Sequence, residues 1–365
     1  MSELEYTEHG WRYTTDTIRH HRTDGWDYRG RGIYHFTLVV AERYPLFGEL
    51  AGTADEPFIQ LSAFGHQALN LLRDEPRYYG ERGYSLRILV SQVMPDHIHV
   101  VIQVLEPLPQ SIGKVIRGFK SACSSLYKSN YLVSGGNYTA EMQIANDVHF
   151  SRIFTRTGSI WETNKASYHE RILHREGQLD AMIKYVKDNP RRLWLKRANP
   201  DLFRIRQNIR FGQTTCTALG NIFLADYPQR AVVQCSRRLT QPEIDARKDA
   251  CLADAANGTV FVSAAISEGE KQICRALREA GFPLIILLEK GFPAPDSPHY
   301  RYFKPQGIYF EACAAGKLLL VEPSQDFFER PDITAKVTAK VGDIPHDTQR
   351  YRFLALNAMA EEIAR

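Results

Sequence analysis

The sequence predicts a mixed chain in two parts: an α+β first half built on an antiparallel sheet and an α/β second half built on a parallel one. Three observations carry this. In the first half, short β-rich runs are broken by turn residues, and Pro95-Asp96 separates two of them, which is hairpin chemistry. In the second half, four apolar runs of strand length alternate with helix-length segments, the mark of parallel βαβ units covered on both faces. The length, 365 residues, implies two or three domains at about 100–200 residues each.

Each element follows from its residues. Residues 32–42 (GIYHFTLVVAE) are β-branched and aromatic behind a Gly-rich entry, hence a strand. Residues 57–72 read as a helix whose inner side is Ile59, Leu61, Phe64, Leu69 and Leu72. Residues 85–94 and 97–105 are two strands of one hairpin. Residues 111–128 form an amphipathic helix with Ser111 as N-cap. Its stripe is Ile112, Val115, Ile116, Phe119, Cys123 and Leu126, with Lys114, Arg117 and Lys128 outside it. A Gly- and Asn-containing loop follows near 134–138. A further helix over 176–188 stops before Pro190. In the second half the strands are 231–236, 259–265, 283–289 and 317–321. The helices are 241–256, 268–280, 305–315 and a last one over 348–364. The implied division is an N-terminal extension (1–30), a first domain (31–203), a linker (204–230) and a second domain (231–365).

Composition narrows the function classes. Hydrophobic residues make up 44% and charged residues 24%, ordinary for a folded chain, so disorder over most of the length is excluded. No apolar run reaches about 18 residues, so no membrane-spanning helix is expected. The polar, acidic start carries no secretory signal. Six cysteines without a CxxC pair argue against a zinc ribbon or disulfide framework and for a reducing cytoplasm. The net charge of +4 leaves the partner open, so the distribution of charge matters more than its sum.

Three features carry chemistry. The first is His97-Ile98-His99. On a strand, alternate side chains share a face, so two imidazoles about 7 Å apart can grip one divalent cation from one side. The same pattern also describes two surface histidines on a half-buried strand. The second is the pair Tyr185 and Asn189, four apart on the helix that ends at Pro190. A tyrosine beside a metal can be a nucleophile, and Asn189 could add an oxygen ligand. The plain alternative is a boundary tyrosine and a helix-ending Asn. The third is charge. From Lys184 to Arg210 nine Lys or Arg stand against two acids, a local excess of +7, with Trp194 and Phe203 interleaved. Basic plus aromatic residues suit a phosphate backbone with unstacked bases, and a solvated linker face is the other reading.

These pieces occur in one order: strand, helix, strand, turn, HxH strand, basic helix, then a helix with Tyr and Asn-Pro. That order resembles the single-tyrosine HUH transposases, among them the REP-associated tyrosine transposases and related insertion-sequence transposases. The matching text is Tyr34-His35-Phe36-Thr37, Met94-Pro95-Asp96-His97-Ile98-His99, and Ile116-Arg117-Gly118-Phe119-Lys120-Ser121. It continues with Ile160-Trp161-Glu162, Tyr168-His169-Glu170-Arg171-Ile172-Leu173 and Ile183-Lys184-Tyr185-Val186-Lys187-Asp188-Asn189-Pro190. The match covers roughly residues 29–194.

The resemblance implies a ferredoxin-like HUH domain. It implies Mg²⁺ or Mn²⁺ held by His97, His99 and Asn189. Tyr185 would be the nucleophile, with Tyr168 the competing candidate. The substrate would be single-stranded or hairpin DNA, contacted by Lys114, Arg117, Lys120, Lys184, Arg191 and Arg192, and a homodimer is compatible with this. The implied activity is nicking and strand transfer through a 5′-phosphotyrosine. Two related readings share the scaffold: a non-cleaving DNA-binding protein, and a replication-initiator or relaxase-like nickase. The chain departs from the family in residues 132–159, which read as an insertion, and in about 170 further residues after the Asn-Pro helix.

The second half bears a partial resemblance to the Rossmann-like domain of the DNA-processing protein A and lysine-decarboxylase-like group. The matching stretches are 232–237, 261–265 and 311–317. In such folds ligands bind at the carboxyl ends of the strands, which singles out Ser236, Arg237, Ser263 and Ser267. Where that group has a Gly-rich turn, this chain has Ala264, Ala265 and Glu268, and a carboxylate repels phosphate. DNA contact, dimerisation or target choice are the alternatives to nucleotide binding.

Overall fold

The computed structural model describes residues 4–7, 10–13, 23, 25–131, 148–162, 168–292 and 307–365. The chain divides into two compact units, Met1–Trp194 and Leu195–Arg365.

In the first unit the strands are β1 (Leu4–Thr7), β2 (Gly10–Tyr13), β3 (Gly32–Val39), β4 (Gly48–Gly52), β5 (Pro57–Leu61), β6 (Leu86–Met94), β7 (His97–Val104) and β8 (His169–Ile172). The helices are α1 (Ala63–Gly80), α2 (Gly113–Tyr131), α3 (Val148–Thr157), α4 (Gln178–Lys187) and α5 (Asn189–Ala198). The central sheet has the order β6-β7-β3-β8 and is antiparallel throughout. Strand alternation divides its side chains between two cores. Phe36, Leu38, Ile98, Val100 and Ile102 join a large core with Phe64, Leu72, Ile116 and Phe119 of α1 and α2. On the other face Val101 packs with Leu173, Met182 and Val186, against the stripe of α4.

One expectation fails here for an identifiable reason. The helix expected over 57–72 is a strand followed by a helix. Residues 57–61 pair with β4 in a hairpin, because a short apolar run fits a strand as well as a helical face. The true N-cap is Ser62, whose hydroxyl accepts from the Gly65 N–H at 3.0 Å. The helix expected over 176–188 does end before Pro190, at Lys187. Asp188 caps α4, and Pro190 enters the first turn of α5, where its missing N–H costs nothing. Of the expected insertion, residues 132–147 lie outside the described residues, while α3 occupies 148–157.

In the second unit the strands are β9 (Arg206–Phe211), β10 (Thr214–Gly220), β11 (Arg230–Val232), β12 (Val260–Ser263), β13 (Leu284–Leu287) and β14 (Leu318–Pro323). The helices are α6 (Gln241–Ala256), α7 (Glu268–Glu279), α8 (Phe310–Ala314), α9 (Pro331–Val341) and α10 (Gln349–Ile363). The six strands form one sheet in the order β11-β12-β13-β14-β10-β9. β11 to β14 are parallel, as the alternating pattern predicts. Their side chains split cleanly between faces. Val260, Val262, Ile285 and Leu319 meet α9 and α10, whereas Phe261, Leu284, Ile286 and Leu320 meet α6, α7 and α8. Of the helix expected over 305–315, residues 305 and 306 lie outside the described residues.

The stretch 204–230 is not a linker. It supplies β9 and β10, both antiparallel in the sheet. The Arg-rich β9 is an edge strand, where outward charges are expected. β10, although polar in composition, buries Thr214, Cys216, Ala218 and Leu219. Among the described residues, no helix is long and apolar enough to cross a membrane.

Candidate active site

The site grows out of strand register. In β7, His97 and His99 share the face opposite Ile98, Val100 and Ile102, which are in the core. β3 runs antiparallel beside it, with Thr37 opposite His99 and Val39 opposite His97. The same alternation that sends Tyr34, Phe36 and Leu38 into the core turns His35 and Thr37 toward the imidazoles. His35, His97 and His99 are all buried, so the reading of His97 and His99 as surface histidines does not hold.

The three rings are hydrogen-bonded in series. His97 Nδ1 lies 2.5 Å from Asp96 Oδ1. The Nε2 atoms of His97 and His99 are 3.2 Å apart. His99 Nδ1 is 3.0 Å from His35 Nε2 and 3.0 Å from Thr37 Oγ1. His35 stacks on His99 with ring centroids 5.1 Å apart. Burial, and then the Arg171 charge, push the His35 imidazole down to about 4. Asp96 is also steadied by Arg43, whose Nη1 is 3.4 Å from Oδ2. Arg43 follows Glu42 in the short turn after β3, and both have left-handed backbone, φ 56° and 54°, a costly conformation for non-glycine residues.

Two imidazole nitrogens at this spacing can share one cation at about 2.1 Å each. The other nitrogen of each ring already has a partner, the usual outer support of a ligating histidine. Among the described residues, no group of three or more His, Cys, Asp or Glu is arranged to hold a metal ion. Further ligands would therefore be oxygens of another kind, from Asn189 or from a substrate.

Tyr185 on α4 stands against this cluster. Its ring centroid is 5.4 Å from that of His99 and 6.4 Å from that of His35, edge-on to both. Burial raises its phenol pKa, while the Arg192 charge and a hydrogen bond with the Asn189 side chain pull it back. Asn189 is buried. Its Nδ2 donates to the carbonyls of Tyr185 (2.8 Å) and Val186 (3.4 Å), which leaves Oδ1 as the atom able to accept or coordinate. Tyr168 instead packs edge-on against Phe36, 5.5 Å between centroids, beside the large core.

The expected DNA-contact residues are dispersed. Lys114, Arg117 and Lys184 are exposed. Arg191 is paired with Asp188. Arg192 is buried, its guanidinium carbon 5.4 Å from the centre of the Tyr185 ring. Lys120 is buried too, where desolvation pulls its ammonium down to about 8. It lines a pocket of about 580 Å³ with Ser121, Ser124, Ser125, Lys128 and Trp161.

In the second unit the four candidate residues do not form an open cradle. Ser263 is fully buried. Its hydroxyl donates to the Val233 carbonyl and accepts from the Ala265 N–H. Ser267 caps α7. Ser236 and Arg237 are exposed. The backbone N–H groups nearby already have an anion. The buried Glu270 carboxylate accepts from Cys235 (3.1 Å), Ile266 (2.7 Å) and Ser267 (3.1 Å).

His35, Thr37 and Asp96 join the site without being singled out by any local motif. The available signal was the alternation in Tyr34-His35-Phe36-Thr37, which puts His35 and Thr37 on the face away from the aromatic core.

No protein-family model matches the chain, and no curated protein matches it. Among solved structures, it is similar to a proposed transposase from Deinococcus radiodurans R1. That match has 15% identity and a TM-score of 0.26, covering 46% of this chain and 96% of that one. It is also similar to a REP-associated tyrosine transposase bound to a REP hairpin, at 13% identity and a TM-score of 0.25, covering 46% of this chain and 73% of that one.

Proposed function

We propose that the chain is a metal-dependent nuclease and strand transferase of the HUH transposase type, acting on single-stranded or hairpin DNA. The observation that carries this reading is the placement of Tyr185 edge-on to His99, whose Nε2 is paired with that of His97. A nucleophile and a cation-binding edge then meet on one face of a rigid sheet. On this reading the first unit is ferredoxin-like and the second Rossmann-like.

His97 and His99 would hold Mg²⁺ or Mn²⁺, with Asn189 Oδ1 as a further ligand. When bound, the cation supplies charge neutralisation at the scissile phosphate. The Tyr185 oxygen attacks phosphorus in line. The P–O bond to the 3′ oxygen breaks; the phenol gives up its proton and the departing 3′ oxygen takes one up, directly or through solvent, to become the free 3′-OH. The product is a 5′-phosphotyrosyl enzyme with a free 3′-OH strand, so rejoining needs no external energy. Arg192 over the tyrosine ring favours the phenolate, offsetting part of the burial cost. Tyr185 is preferred to Tyr168 because Tyr168 packs edge-on against Phe36, a core side chain of β3, and not against an imidazole.

The test is incubation with single-stranded hairpin DNAs and Mn²⁺, followed by denaturing gel electrophoresis for a covalent adduct. The adduct is expected with wild type and Tyr168→Phe and is lost in Tyr185→Phe and His97→Ala. Tight binding without an adduct for any DNA would leave a non-cleaving DNA-binding protein.

A further inference from the structure

The series Asp96, His97, His99, His35 restricts where the protons can sit. With the Asp96 carboxylate accepting at Nδ1, a neutral His97 carries its proton there and presents a lone pair at Nε2. The 3.2 Å contact between the two Nε2 atoms then needs the His99 proton on Nε2. His99 Nδ1 is left as an acceptor, 3.0 Å from both His35 Nε2 and Thr37 Oγ1. For His99 to offer a lone pair at Nε2, its proton must move to Nδ1. A partner there must turn from donor to acceptor at the same time. Both neighbours can do so in principle, the hydroxyl by rotating and the imidazole by exchanging its tautomer.

We propose that His35 is this partner, a positioning residue that holds the plane of His99 by stacking and exchanges donor for acceptor role with it. His35 is the better placed of the two. Its ring lies 24° from parallel to that of His99, with centroids 5.1 Å apart. Being buried on a strand, it has no other orientation at low cost. A hydroxyl satisfies Nδ1 but leaves the His99 plane free. The inference rests on His97 and His99 as a cation-binding pair, and its readout does not rest on DNA cleavage.

The experiment uses the full chain with ¹⁵N-labelled histidine. In the metal-free protein, His99 and His35 are expected to be protonated at Nε2. Added Zn²⁺, a diamagnetic probe, is expected to move both protons to Nδ1. Mn²⁺ affinity, read by electron paramagnetic resonance, is expected to fall about 10–100-fold in His35→Phe, the range for loss of an outer-shell partner. His35→Gln, whose amide can present either nitrogen or oxygen but cannot stack, is expected to fall between His35→Phe and wild type, while Thr37→Val is expected to stay within about 3-fold of wild type. A full loss in Thr37→Val with wild-type affinity in His35→Phe would overturn the proposal and assign the role to Thr37. So would a His35 tautomer that ignores Zn²⁺. If His35→Phe does not fold, His35→Leu is read in its place by the same outcomes. A protein that shows these shifts but cuts no DNA keeps the inference and removes the cleavage reading. A protein that cuts DNA with unchanged Mn²⁺ affinity in His35→Phe does the reverse.

Discussion

The Asp96 carboxylate sits 2.5 Å from His97 Nδ1, so the turn residue that begins β7 also orients the first imidazole of that strand. The Pro95-Asp96 turn and the HxH strand are thus one device. Arg43 steadies the far carboxylate oxygen, and His35 and Thr37 of β3 hold the second imidazole.

This relationship predicts the behaviour of Asp96→Asn. The amide is isosteric and keeps the turn, but it can present an N–H to Nδ1 and carries no charge. Mn²⁺ affinity is expected to fall about 10–100-fold, with the thermal midpoint nearly unchanged. Titration calorimetry on wild type and variant checks it. An unchanged affinity would show that Asp96 serves the turn alone.

Gly118 predicts a steric coupling between α1 and α2. A Cβ at this position would overlap the Tyr79 hydroxyl and come to 3.2 Å of its Cζ. That hydroxyl donates to the Lys114 carbonyl at 3.3 Å. Gly118→Ala is expected to destabilise the first unit by about 1–3 kcal/mol, as overpacking does. In a Tyr79→Phe background the added methyl should cost less, because the overlapping oxygen is gone. Urea unfolding of both single variants and the double variant gives the coupling energy. Strict additivity would refute the contact.

Much of this was legible in sequence, and the exceptions share a cause. β7 and α4 declare themselves by period, 2 in HIHVVIQV and 3.6 in Leu179, Met182, Val186. The chemical pair His97 and His99, and the tyrosine four residues before Asn189, follow from those periods. What the periods could not give is register between strands distant in sequence. His35 meets His99 only because β3 pairs with β7 across more than 60 positions. Local pattern also fails where an apolar run is short, as at 57–61. It fails again where burial is decided by the sheet and not by composition, as at 214–220.

Glu75 predicts a pH dependence of stability. It is buried in α1 with Oε2 lacking a hydrogen-bond partner, and burial raises its carboxyl from 4.5 to about 7. The folded state therefore holds the proton more tightly than the unfolded chain. The contribution to stability is full below about pH 4.5. It declines as pH rises toward 7 and is flat above that. The decline is on the order of 3 kcal/mol. Glu75→Gln should match wild type near pH 4.5 and exceed it near pH 8, measured as thermal midpoints across that range. Parallel curves for the two proteins would exclude the effect.

Glu270 predicts how the second unit responds when its internal anion is removed. Three backbone N–H groups, from the loops after β11 and β12, converge on this one carboxylate. This is the end of a parallel sheet where other α/β folds hold phosphates. Here the position is filled from within, which accounts for Ser263 and Ser267 being spent on backbone groups. Glu270→Ala leaves three buried donors without an acceptor, at about 1–3 kcal/mol for each that water cannot reach. Hydrogen exchange at residues 235, 266 and 267 should accelerate strongly, read by mass spectrometry. Inorganic phosphate should slow it again in the variant, because the vacated donors suit an anion, and should leave wild type unchanged. Glu270→Gln should fall between, since its amide nitrogen cannot accept from Cys235. Exchange in Glu270→Ala at the wild-type rate would show that the carboxylate contributes nothing to these loops. Phosphate protection of the wild type at the same amides would show the cradle open to an external ligand.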